Sequence, residues 1–99
     1  MIAPDQPPPK PSAGDAWQEL IDSGLLPDTL HPAAAERRQI GIERYGQPLQ
    51  RGDGRNHLVD ALQEALDLVV YLYAARAPEP VLMAAIELAR QVAALPGCS

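Results

Sequence analysis

The chain has 99 residues, a formal charge of -5 and 46% apolar residues, with one cysteine and no phenylalanine. That is material for one small domain, near the size at which association helps stability, and its alanine, leucine, valine and isoleucine suit helices. The acidic balance leaves no basic stripe for a nucleic-acid polymer, and the lone Cys98 supports neither a disulfide framework nor a zinc site. The first residues lack a basic start and an apolar h-region and no apolar run approaches membrane-spanning length, so no membrane partner and a cytoplasmic location are expected.

The opening stretch, MIAPDQPPPKPSAG, places five prolines among its first eleven residues. Proline removes backbone donors and resists helix formation, so residues 1–13 read as an extended or disordered tail ahead of a helical domain at 14–99. Ser12 can cap a short helix, Asp15 to Asp22, whose apolar side is Trp17, Leu20 and Ile21 and whose terminator is Gly24. The segment LLPDTLHP is a connector, with Pro32 placed to open the next helix.

That helix, Pro32 to Tyr45, has an unusual wheel. Glu36, Gln39 and Glu43 fall within about 60° of one another, with Ile40 and Ile42 on either side. Arg37, Arg38, Arg44 and Gly41 point the opposite way. Acids on the apolar side and bases on the other reverse the ordinary surface pattern, and buried carboxylates need a cation or hydrogen bonds. A loop, YGQPLQRGDGRN, then brings Arg51 and Arg55 in front of the long helix that runs to Ala75.

The long helix carries a second acid line. His57, Asp60, Glu64 and Asp67 lie within roughly 80° of arc, joined by Tyr71. Leu58, Leu62, Leu66, Val69, Leu72 and Tyr73 take the other side. The stripe reads either as the wet face of an amphipathic helix or as a site for something positive, since no base intervenes between His57 and Arg76. The prolines of RAPEP break the helix. A last helix, Pro80 to Leu95, is apolar almost all round, as a buried core helix or a subunit interface would be. No strand is predicted. The expected fold is all-α, a small bundle of about four helices.

If the two acid lines face one another, four or five oxygen ligands converge, a set suited to magnesium or manganese bridging to substrate phosphates. Arg51 and Arg55, or Arg37 and Arg38 of a neighbouring copy, are placed to hold phosphates, and Tyr71 to stack on a base. His57 reads as a capping or supporting residue at the helix start. Inward acids on paired helices also occur as structural networks.

The segments IGIERYGQPLQ and GRNHLVDALQEALDLVVYL resemble the α-helical nucleoside triphosphate pyrophosphohydrolases of the MazG-like superfamily, above all its small, often phage-encoded members. The resemblance covers Pro32 to Ala75. It is carried by Glu64-x-x-Asp67 with the apolar run ending at Tyr71-Leu72, and by the Gly41 to Gly46 segment. It implies a dimeric or tetrameric helical core that holds magnesium and cleaves a (deoxy)nucleoside triphosphate to monophosphate and pyrophosphate. On that reading Glu36, Glu43, Glu64 and Asp67 hold the ions, and Asp60 assists or acts as base beside Glu36 and Glu64. The nucleotide would be gripped by Arg37, Arg38, Gln39, Arg51, Arg55, His57 and Tyr71. The first motif departs from the family pattern of two adjacent glutamates and a third three residues on, because Ala35 precedes Glu36 and Gln39 follows it. That departure bears on turnover more than on binding, and the alternative function is a non-catalytic protein that sequesters a nucleotide or nucleotide-derived immune signal. A helical oligomerisation module with structural acids is a third reading.

Overall fold

The computed structural model describes residues 14–50 and 54–98; the proline-rich tail and Arg51 lie outside the described residues. Those residues form four α-helices with one short 3-10 turn and no strand, so the all-α expectation holds among them. No described helix is long and apolar enough to cross a membrane. The chain divides into two compact units, with the boundary between Gly54 and Arg55.

The first unit holds α1 (Ala16–Asp22), the 3-10 turn (Asp28–Leu30) and α2 (His31–Tyr45). Asp15, not Ser12, is the N-cap of α1: its carboxylate accepts from the Gln18 amide at 3.0 Å. The other oxygen of Asp15 accepts from Arg38 Nε of α2 at 2.8 Å, so one side chain caps a helix and ties it to the next. Two opposed effects act on this carboxyl. Burial raises its pKa, and the Gln18 amide and Arg38 guanidinium outweigh that and hold it below the usual carboxylate range. The chain beyond α2 returns to the start of α1, where the Ala16 amide donates to the Leu49 carbonyl at 2.7 Å. Gly24 follows α1 with φ 77°, and Gly46 closes α2 with φ 79°, a left-handed conformation that glycine adopts without cost.

The packed side of α2 differs from the expected one. Ala34 is buried and His31, Arg38, Gly41 and Ile42 are half-buried, whereas Glu36, Gln39 and Glu43 are exposed. On the wheel those three lie opposite Ala34. The reason is non-local: Arg38 reaches Asp15, which makes an arginine serviceable on the packed side.

The second unit is a helical hairpin, α3 (His57–Ala74) and α4 (Glu79–Ala93). The two run antiparallel, because the chain just after α4 bonds the start of α3: Asn56 Nδ2 donates to the Gly97 carbonyl at 2.8 Å. The hairpin turn is a Schellman-type closure in which the Ala77 amide donates to the Leu72 carbonyl at 3.0 Å. Its left-handed position, usually glycine, is Arg76 at φ 55°. Ala65, Ala85, Ala89 and Cys98 are the buried apolar residues of this unit. Leu58, Leu62, Val69 and Leu72 of α3 and Leu82 and Val92 of α4 are half-buried around them. Leu66 and Tyr73, expected on the packed side, are exposed, and so is most of the apolar surface of α4.

Candidate functional site

The start of α3 is the most elaborately built part of the chain. Asn56 caps it, its Oδ1 accepting from the Leu58 and Val59 amides at 3.1 and 3.2 Å. The same side chain holds Gly97, and the buried Cys98 thiol donates to the Leu58 carbonyl at 3.5 Å. Cys98 thus takes part in closing the hairpin.

Arg55 lies beside Asn56. Its Nε and Nη2 each donate to one oxygen of Asp60 at 3.0 Å, and its side chain is 1% exposed. A planar guanidinium meeting both oxygens of a carboxylate is the strongest form of ion pair, and burial strengthens the attraction while making either partner costly to leave alone. This answers part of the puzzle set by a base-free acid stripe. The positive group beside Asp60 comes from the chain itself, two residues before the helix. A usable signal was present, since the stripe is bare of bases only if counting begins at His57.

Further along α3 the acid face continues with Glu64, exposed, and Asp67, half-buried, one turn apart. Tyr71 follows at 68% exposure. His57, Asp60 and Glu64 all have interaction partners, whereas Asp67 and Tyr71 have none among the described residues. On α2, Glu36, Gln39 and Glu43 are exposed without partners, as is Arg37, while Arg38 is engaged by Asp15. The sequence-predicted residues therefore fall into three sets. Arg55 and Asp60 are joined to each other, Glu64, Asp67 and Tyr71 share a face of α3, and Glu36, Gln39 and Glu43 share a face of α2. Among the described residues no three His, Cys, Asp or Glu side chains come together as a metal-holding group. A preformed cage of acids is thus not found there. A site that draws one or two carboxylates from the protein and its remaining ligands from water and substrate phosphates needs no such cage, and magnesium is commonly held that way. In comparisons with known proteins, the chain matches no family model, and no curated protein or solved structure is similar to it.

Proposed function

We propose that the protein acts on nucleotides in the cytoplasm, as a magnesium-dependent pyrophosphohydrolase that converts a (deoxy)nucleoside triphosphate to monophosphate and pyrophosphate. The observation that carries this reading is the pairing of Glu64 and Asp67 one turn apart on a helix with no lysine or arginine in its whole length. Two carboxylates so spaced repel each other, and a dication relieves that repulsion while leaving coordination positions for phosphate oxygens. The resemblance of the Glu64-x-x-Asp67 segment to the MazG-like enzymes supports the same assignment. Magnesium, or manganese in its place, would polarise the phosphate and lower the pKa of a bound water. Glu64 and Asp67 would hold it. Tyr71, exposed on the same face, would stack on the base.

A second reading, binding without turnover, is favoured by one specific observation. Asp60, a candidate general base, already accepts through both oxygens from a buried arginine. A base so held cannot readily take a proton from water. The test is incubation of the parent protein with a nucleotide panel and magnesium, followed by chromatography. Monophosphate and pyrophosphate formed with magnesium and not in chelator support the enzyme. Retention of intact nucleotide supports the binding protein. Asp67→Asn should abolish magnesium binding without lowering the apo melting temperature, and a fall in that temperature in chelator would mean that this acid is structural.

A further inference from the structure

The α3–α4 hairpin leaves a broad apolar side uncovered. Leu66, Val70 and Tyr73 of α3 are 50%, 63% and 74% exposed, and Met83 and Ile86 of α4 are 52% and 39% exposed. Each trio or pair lies about a quarter turn from its own helix's packed stripe, and in an antiparallel right-handed pair both groups emerge on the same side. The surface they offer is on the order of 500 Å², at the upper end of what a monomer leaves bare.

Charge identifies the occupant. Glu79, Met83, Ile86 and Arg90 fall within about 60° of arc on this side of α4. Glu79 is exposed and has no partner among the described residues. Arg90 is 68% exposed by its side chain and pairs with Glu87, an exposed contact that holds the Glu87 carboxyl down at about 2 and leaves guanidinium surface open. Consider two copies of α4 laid antiparallel about a twofold axis between Ala84 and Ala85. Met83 then faces the partner's Ile86, and Glu79 faces the partner's Arg90, because the members of each pair lie equally far from the axis. One register satisfies the apolar pair and the ionic pair at once, as a self-complementary twofold interface requires. The opposite side of the hairpin, with Leu68, Val81 and Leu88, offers no such charge match.

We propose that this side of the hairpin is a homodimer seam, antiparallel across α4 and centred between Ala84 and Ala85. The proposal stands independently of any nucleotide chemistry, and the seam leaves Glu64 and Tyr71 on the other side of the hairpin. The experiment is a charge exchange on the full chain, read by sedimentation equilibrium and native mass spectrometry. The parent protein should be a dimer at about 100 μM, within the range of ordinary interfaces. Glu79→Arg and Arg90→Glu each place like charges at both symmetry-related contacts and should weaken the dimer at least about tenfold. Mixed in equal amounts, the two variants regain complementary pairs at both contacts and should form the heterodimer in preference to either homodimer. Met83→Lys, which buries an ammonium group at the centre of the seam, should dissociate in any mixture. A monomeric parent would overturn the proposal. So would single variants that dimerise like the parent, a mixture without preference for the heterodimer, or a Met83→Lys protein that remains dimeric.

Discussion

Asp60→Asn is the change that most sharply separates architecture from chemistry. The side chain keeps its shape and loses its charge, and one of its two acceptors becomes an amide donor aimed at a guanidinium. Arg55, 1% exposed, cannot turn to water, and Asp60 itself is only 16% exposed. Breaking a buried ion pair from one side costs about 3–5 kcal/mol, since a desolvated guanidinium loses its bidentate carboxylate contact. For a domain of this size that corresponds to a fall in melting temperature of roughly 12–40 °C, taking about 4–8 °C per kcal/mol. Urea titration followed by circular dichroism at neutral pH measures it directly. The double variant Arg55→Met with Asp60→Leu removes both charges and should recover most of the loss, because apolar replacement of a buried pair is often close to neutral. Arg55→Lys should sit between, as a point charge cannot span both oxygens. An Asp60→Asn protein within about 0.5 kcal/mol of the parent would refute the buried-pair argument. It would also return Asp60 to the list of groups free for catalysis.

Three further outcomes follow from the backbone and the first unit. Gly41 lies inside α2 and a Cβ there would meet nothing within 4 Å, so Gly41→Ala should stabilise by about 0.5–1 kcal/mol in urea titration; destabilisation would show that the space is needed. Arg76→Gly relieves a left-handed φ of 55° and should add about 1 kcal/mol, read as a raised urea midpoint at unchanged slope. Asp15, whose native pKa is held below its unfolded value, contributes stability that is fully present above about pH 4. That contribution is lost as pH falls through the lower native value, so the stability gap between the parent and Asp15→Asn should narrow between about pH 5 and pH 2 and not between pH 6 and pH 8.

The helices themselves were legible, because their boundaries rest on local chemistry. Prolines break the chain between α3 and α4, glycine follows α1 and α2, and Asn56 stands where a cap is needed. Which face each helix buries was less legible. The wheel of α2 shows Glu36, Gln39 and Glu43 between two isoleucines, which suggests an inward acid line. The structure packs the side of Ala34 and Arg38, and the deciding partner, Asp15, lies 23 residues from Arg38 in sequence. The acid line of α3 lies on one continuous helix, His57–Ala74. Part of its compensation, Arg55, was assigned to a phosphate because arginine before a helix serves either purpose and only burial distinguishes them.

The choice of alanine at the seam of the hairpin has a consequence for the whole molecule. Ala65, Ala85 and Ala89 allow α3 and α4 to approach closely, but each methyl group removes little apolar surface from water, worth about 0.8 kcal/mol per carbon. The larger side chains that would contribute two to three times as much, Leu66, Val70, Met83 and Leu88 among them, are half or more exposed. A hairpin built this way is held as much by its ends as by its middle. The end clamps are Asn56 to Gly97 and the Cys98 thiol to Leu58. Clamps fix geometry and contribute modestly to net stability, since each hydrogen bond gained replaces one to water. The unspent hydrophobic energy is on the outside, and covering it with a second copy would couple folding to concentration. Arg55 is engaged with Asp60 at the start of α3, while Glu64, Asp67 and Tyr71 follow on the same helix beyond it.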